Sequence, residues 1–436
     1  MKNKSWHISK MDARELFLAV LLVSVAVKIG FVMLFDAGPG GFPGEGSDNV
    51  FYHTTAVNWL ETGVFGYERG IPTVAMPPGQ SAFLALLYGM SGGSFAFARW
   101  AHILLLSLVA GLTFLTGKAF FGNAVGFAAG LLIAVDPAQA YLSITFLSEP
   151  LFIFLMCLGI YFLVRHRDRE HSALTRKYPF RSRCAGVFTC QCLIGAGICF
   201  GLAGLTRNQG WLFAGFLALA AQVTRGRVIP WRSSLVVVGV ASLVVLPWLV
   251  RNYYVAGSFV FIASNGGLNL WAGNNPEFEW KQPMPMSNPI YARPPNLDSH
   301  DIDQYYRTRA FKWIAAHPDQ FLLNGVRKVI TLYNFDPLST RREVSMLYRL
   351  AGLFPYGLML PFILFGLATQ WRDERLWVVY AYVLFTTLLA IVFWGDSRIR
   401  APIQPYLYLF GVLGVRQIIV WWQTSRRDVK AQLLEN

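Results

Sequence analysis

The chain of 436 residues is 54% hydrophobic and 14% charged, with a net charge of +14. A mean hydropathy of +0.41 excludes a water-soluble domain, which would show far more charge. Long apolar runs exclude a β-barrel, and basic residues between the runs assign the positive balance to membrane topology rather than to nucleic acid.

Residues 1–14 are polar and basic, with Lys2, Lys4, Lys10 and Arg14. The apolar run 16–35 is too long for a signal-peptide core and reads as a retained first span. Lys28, its one charge, either snorkels to an interface or pairs inside the bundle. The segment 36–92 follows as a first outer loop centred on Glu45 to Asn49. Asp48 precedes a run, 49–62, that stops at Gly63, the pattern of an N-cap, a short amphipathic helix and a glycine end. Asp48 either caps this helix and nothing more, or presents a carboxylate to a lipid-borne substrate at the membrane surface. The run 80–90 is too short to span and reads as interfacial or re-entrant.

The second to fourth spans are expected at 97–115, 124–141 and 150–165. Arg99 and His102 open the second, Asp136-Pro137 lies in the outer part of the third, and Glu149-Pro150 opens the fourth as a first-turn pattern. Segment 165–183 then holds Arg165, Arg167, Arg169, Arg176, Lys177, Arg181 and Arg183 against Asp168 and Glu170, which places it in the cytoplasm. Counting back puts the N-terminus inside and Asp48 outside. A fifth span at 190–205 carries Gly195, Gly197, Gly201 and Gly204, small residues that let helices approach closely. A sixth ends near 223 and a seventh covers 235–249, with Arg225, Arg227 and Arg232 inside between them. By parity Arg207, Arg251 and Asn252 lie outside.

A long outer loop, 253–348, contains helical stretches at 301–316 and on to 333, and long irregular segments of this kind are usually functional. The remaining spans are 350–368, 376–393 and 402–420, with Arg398 and Arg400 outside and Arg426, Arg427 and Lys430 inside. The expectation is an all-α polytopic membrane protein of about ten transmembrane helices, one domain over 1–436, both ends cytoplasmic. None of Cys157, Cys184, Cys190, Cys192 and Cys199 falls in an outer loop, so no structural disulfide is expected. The spacing of Cys184, Cys190 and Cys192 does not match a zinc site, and no cofactor is read from the chain, a divalent metal staying open.

The outer face collects the carboxylates Glu45, Asp48, Asp136, Glu149 and Asp396 and the cations Arg99, Arg207, Arg251, Arg398 and Arg400. Each arginine is either an interfacial anchor or a ligand for phosphate, whose geometry the guanidinium fork fits. Topology depletes basic residues on that face, so a phosphate at the surface accounts for their number. One reaction class needs this set. When an acceptor hydroxyl displaces a sugar from a polyprenyl phosphate, a carboxylate serves as base and the departing phosphate needs cations more than a proton. The lipid tail would lie between spans.

Gly46-Ser-Asp48-Asn-Val-Phe-Tyr52, Asn58-Trp-Leu-Glu-Thr-Gly63, Pro77-Pro-Gly79 and Ser148-Glu-Pro-Leu-Phe152 resemble membrane glycosyltransferases of the GT-C fold. The nearest group is the dolichyl-phosphate-mannose–protein mannosyltransferase-like set, which includes the aminoarabinose transferases. Leu205-Thr-Arg-Asn-Gln-Gly210, Pro247-Trp-Leu-Val-Arg-Asn252, the stretch from Asn265 to Pro276, and Asp396-Ser-Arg-Ile-Arg-Ala-Pro402 fit as well. The resemblance implies the GT-C fold and an inverting transferase that moves a sugar from a polyprenyl-phosphate donor to a glycan, lipid or protein acceptor. It implies Asp48 and Glu149 as catalytic acids and places Arg207 near the donor phosphate. Tyr52, His53, Arg99, Arg251, Asn252, Arg398 and Arg400 complete the candidate substrate-binding set. Two departures bear on the acceptor: Asn49 follows Asp48 where protein mannosyltransferases have adjacent acids, and Ser397-Arg-Ile-Arg400 replaces a Glu and an Arg-Tyr-Arg. The expected location is the inner membrane of a prokaryote, with the active site on the outer face. The rival readings are a lipid or solute transporter or flippase, and a non-catalytic assembly protein.

Overall fold

The computed structural model describes residues 12–35, 48–175, 182–278, 287–295, 297–335 and 352–435. Glu45, the N-terminal lysines, the centre of the basic segment at 176–181 and the start of the eighth expected span lie outside them. Among the described residues there is no strand. The long elements are α1 (Ala13–Phe35), α4 (Phe95–Phe121), α7 (Glu149–Thr175), α8 (Ser182–Thr206), α9 (Gln209–Val223), α10 (Trp231–Ala256), α14 (Leu358–Gln370), α15 (Trp377–Val392) and α16 (Gln404–Glu435). Shorter or peripheral ones are α2 (Asp48–Thr62), α3 (Gly79–Ser91), α5 (Asn123–Ala134), α6 (Pro137–Ser143), α11 (Gly266–Gly273), α12 (Ser299–Ala316) and α13 (Pro318–Tyr333), with a helical turn at Ser397–Arg400.

Six of the described helical segments are long and apolar enough to cross a membrane, and the α5–α6 pair, bent by 55°, makes a seventh if it is one span. The fifth, sixth and tenth expected spans fall on helices outside that set. The molecule is a multi-pass membrane protein. Leu22, Met33, Leu243 and Leu246 on its long helices point outward, as they do where the surrounding solvent is lipid.

One continuous apolar core runs from α1 through α16. Within it α4 packs on α1, α5 and α7, α8 lies between α7 and α10, and α16 lies against α14 and α5. Small residues set these approaches. A Cβ on Gly197 would sit 2.7 Å from Val240 Cβ, and one on Gly201 2.7 Å from Val244 Cβ, so the glycines four residues apart make the groove that receives α10. Gly195, on another side of α8, meets the Phe162 ring of α7 instead. Gly204 meets the Trp211 backbone of α9, where a Cβ would sit 2.8 Å from Trp211 Cβ, so the small-residue reading of this helix holds at all four positions.

The break between α5 and α6 is polar and buried. Asp136 caps α6 by accepting from the backbone N–H of Ala138 at 2.8 Å and Gln139 at 3.1 Å, and the Tyr408 hydroxyl donates to it. Lys28 is buried in the bundle and donates to Ser24 Oγ at 2.7 Å, with Asp136 as the opposite charge acting on it. Lys28 therefore does not snorkel.

Two smaller clusters cover one end of the bundle. Tyr52 and Ala56 of α2 join Leu84, Leu87 and Tyr88 of α3 and the start of α4. Gly63, at φ 72°, ends α2 in the left-handed conformation that a stop requires. Asn58 Nδ2 donates to the carbonyls of Gly66 at 3.1 Å and Tyr67 at 2.7 Å, which folds the following loop back onto α2. The second cluster joins α11 and α12 through Trp271, Tyr291, Tyr306 and Trp313.

Candidate functional site

Successive helices that reverse direction bring the start of α7, the end of α8 and the start of α9 together at that covered end, beside the segment between α15 and α16. Four charged groups meet there in alternation. Glu149 Oε1 accepts from Arg207 Nη1 at 2.6 Å and also from Arg398 Nε. Arg398 Nη2 reaches on to Asp48 Oδ2 at 3.0 Å. The order in space is Asp48, Arg398, Glu149, Arg207, drawn from α2, the turn before α16, α7 and the end of α8. Ser148 Oγ lies 3.5 Å from Arg207 Nη1.

The two acids differ. The Glu149 side chain is 0% exposed, and its second oxygen, Oε2, is buried without a hydrogen-bond partner. The Asp48 side chain is 42% exposed and lines a cavity of about 840 Å³. Burial lowers the affinity of Arg398 for its proton, but the Glu149 and Asp48 carboxylates outweigh it and hold the guanidinium above its ordinary range. Burial, and then the charge on Asp48, push the Tyr52 phenol up to about 12, and Tyr52 hydrogen-bonds Ser148. Tyr52 is thus a neutral hydroxyl at the cavity wall. Asp396 accepts from Ser397 Oγ at 3.1 Å and Arg398 N at 3.3 Å, and burial pushes its carboxyl above the usual range.

The cavity has two characters. Asp48, Tyr52, Ser148, Arg207, Asp396 and Arg398 form its charged wall. Val27, Phe31 and Phe35 of α1, with Leu142, Leu212 and Leu389, form an apolar wall running down between helices. Asn208, Gln209, Asn265, Asn269 and Trp394 add amides and one indole. Asn208 Oδ1 is buried without a hydrogen-bond partner. Such a vessel accommodates a molecule with a charged and hydroxylated head and a hydrocarbon tail.

Five of the ten candidate residues converge here: Asp48, Tyr52, Glu149, Arg207 and Arg398. The other five lie elsewhere. His53 Nδ1 sits 3.1 Å from the Tyr88 hydroxyl, its ring between Tyr88 and Phe95. Arg99 lies on α4, outside the residues that line the cavity. Arg251 donates to the carbonyls of Thr73 at 2.6 Å and Phe65 at 3.2 Å and stacks over Trp248, which fastens α10 to the loop after α2. Asn252 is fully buried and donates to the Ile262 carbonyl at 2.9 Å. Arg400 is buried over the Tyr356 ring and bonds the Leu332 carbonyl at 3.0 Å and Gln404 Oε1 at 3.0 Å. Ser148, Asn208, Asn265, Asn269 and Trp394 line the cavity and were not among the candidates, although motifs read from the sequence contain the first four. Among the described residues no group of three or more His, Cys, Asp or Glu gathers at metal-binding distance.

Comparison with known proteins agrees with this architecture. A sequence profile of the dolichyl-phosphate-mannose-protein mannosyltransferases matches residues 75–178, a stretch that includes Glu149. The oligosaccharyltransferase of Archaeoglobus fulgidus in its apo form superposes with a TM-score of 0.59 at 15% identity over 98% of this chain and 53% of that one. The chain has the GT-C fold. The oligosaccharyltransferase AglB from Archaeoglobus fulgidus, solved with an inhibitory peptide and a dolichol-phosphate, superposes with a TM-score of 0.55 at 14% identity, over 95% of this chain and 52% of that one. The chain therefore spans about half the length of these GT-C relatives. ArnT from Cupriavidus metallidurans bound to undecaprenyl phosphate aligns over 92% of this chain and 76% of its own at 16% identity, with a TM-score of 0.43. No curated protein matches in sequence.

Proposed function

We propose that the chain is a glycosyltransferase that moves a sugar from a polyprenyl-phosphate donor to an acceptor hydroxyl with inversion, on the outer face of the membrane. The observation that carries this reading is Arg398 bridging Asp48 and Glu149, with Arg207 beside it, at the head of a cavity whose remaining wall is largely apolar. The donor phosphate sits against Arg207 and Arg398, and its tail runs along α1 between the helices. The acceptor oxygen attacks the anomeric carbon as the bond from that carbon to the phosphate oxygen breaks. Asp48 takes the acceptor proton, and the bonding electrons leave with the lipid phosphate. Glu149 is too buried to reach the acceptor and instead holds the two arginines at a fixed spacing. Tyr52, neutral throughout, donates to the head group.

A neighbour of the same fold solved with a dolichol-phosphate supports a polyprenyl-phosphate donor, and the mannosyltransferase profile supports a sugar as the group moved. The test is turnover by the purified protein in lipid nanodiscs, supplied with a panel of undecaprenyl-phosphate sugars and membrane-extracted acceptors. Release of undecaprenyl phosphate that requires both donor and acceptor is the expected result. Stable donor in every combination, with directional movement of the same lipid across the bilayer of sealed proteoliposomes holding the same protein, would replace the transferase by a transporter.

A further inference from the structure

Lys328 takes no part in the chemistry above, yet it is fully buried on α13, a helix of the long segment between α10 and α14. Its Nζ donates to Asn274 Oδ1 at 3.0 Å and to the Ile391 carbonyl at 3.2 Å. Asn274, itself fully buried, donates through Nδ2 to the carbonyls of Leu270 at 2.8 Å and Val392 at 2.8 Å. Lysine and asparagine together therefore tie α13, the end of α11 and the last turn of α15 at one point. Two glycines close the junction by backbone contact. A Cβ on Gly273 would overlap the Phe393 carbonyl, and one on Gly395 would overlap the Lys328 carbonyl.

The segment held this way, 393–395, leads directly into Asp396 and Arg398. Trp394, Asp396 and Arg398 line the cavity on one side of the junction, and Asn265 and Asn269 of the α11 region line it on the other. An apolar residue could fill the volume of Lys328 but could not satisfy the two oxygens. Burial pushes the Lys328 amine down to about 7, with the Phe278 and Phe321 rings beside it. Charged or neutral, an amine has enough N–H groups for both bonds, so the tie does not depend on its protonation.

We propose that Lys328 is a positioning residue, which with Asn274 fixes the Trp394–Arg398 segment so that Arg398 can bridge Asp48 and Glu149 and receive the donor phosphate. The inference rests on the reading of Arg398 as a phosphate ligand, and two measurements separate the failure of one from the failure of the other. The first needs no substrate: hydrogen–deuterium exchange in nanodiscs of the peptide covering 393–400, compared between wild type and Lys328→Met. Faster exchange there, with α4 and α7 unchanged, is expected; unchanged exchange overturns the clamp. Gly395→Ala disturbs the same junction from the other side, so the comparison survives if Lys328→Met fails to fold.

The second is affinity for undecaprenyl phosphate relative to undecaprenol, a ratio that isolates the phosphate grip from the tail. Lys328→Met is expected to lower the ratio by about tenfold or more, as loss of a charge-assisted contact does. Adding Lys328→Met to Arg398→Ala should lower it no further, because the lysine acts through the arginine. Additive losses, or a ratio unchanged by Lys328→Met while Arg398→Ala reduces it, overturn the positioning role. A ratio unchanged by Arg398→Ala overturns the phosphate reading instead, and the exchange result then still decides whether Lys328 holds the loop.

Discussion

Replacing Asp48 by Asn is the sharpest perturbation the site allows. The side chains are nearly isosteric, and the amide oxygen can still accept from Arg398 Nη2, which lies 3.0 Å from Asp48 Oδ2. The Asp48 side chain is 42% exposed, so the ion pair it forgoes contributes about 1 kcal/mol or less to stability, and the variant should fold. Arg398 then faces one full carboxylate, Glu149, rather than two, which leaves it more available to a phosphate. Donor affinity should therefore hold or rise. Turnover should fall by about a hundred- to ten-thousandfold, the range for loss of a general base, equivalent to roughly 3–5 kcal/mol in the barrier. The assay is single-turnover transfer at saturating donor, with donor affinity measured separately. Near-normal turnover would remove Asp48 as the base, and lost donor binding with normal chemistry would make Asp48 a binding residue.

Glu149→Gln removes the charge between two guanidiniums; the carboxylate is fully buried but the arginines left behind are 22% and 37% exposed, so the loss is about 1–3 kcal/mol. The variant's melting temperature should drop, and added undecaprenyl phosphate should raise it by more than in wild type; equal melting temperatures would contradict the spacer role. Arg251→Ala loses the bonds to the Thr73 and Phe65 carbonyls and should cost about 1–3 kcal/mol in thermal or denaturant unfolding while leaving donor affinity unchanged. Weakened donor binding at normal stability would return Arg251 to the site. Lys328 has a folded-state pKa of about 7 against 10.5 unfolded, so between these values the unfolded chain binds more protons and unfolding free energy rises with pH. The stability of wild type relative to Lys328→Met should grow from pH 7 to pH 9, and a pH-independent difference would show that the amine is not desolvated in the folded protein.

Much of the helical frame is legible in residue pattern because lipid demands it. A run such as 16–35 can satisfy its backbone only as a helix, and α1 covers it as Ala13–Phe35. Gly63 ends α2 for a local reason that neighbours cannot override. The site is legible only in part. Arg207, Arg251, Arg398 and Arg400 all read as arginines at helix ends on one face, and nothing local separates them. What separates them is tertiary: Arg207 and Arg398 meet Glu149, whereas Arg251 meets backbone carbonyls of the loop after α2 and Arg400 a carbonyl in the last turn of α13. Asn252 has the same fate. Lys328 reads as an ordinary polar residue of a surface helix, and only the arrival of Asn274 and Ile391 makes it a junction.

The alternation of charges also accounts for two acids among the arginines of the proposed phosphate site. In the proposed reaction the donor is a phosphodiester with one negative charge, and the leaving lipid phosphate gains a second as the sugar departs. At the same moment Asp48 takes a proton and loses its charge. Negative charge thus moves from one side of Arg398 to the phosphate while the total over the cluster stays constant. An arginine bonded to Asp48 in the resting enzyme is released by that protonation as the phosphate comes to need it, so the interaction strengthens toward the transition state rather than equally in the bound donor. Glu149 makes this exchange local. Buried and bonded to both guanidiniums, it keeps Arg207 and Arg398 close despite their repulsion, and in the proposed reaction it leaves Asp48, the acid open to the cavity, as the one that changes charge.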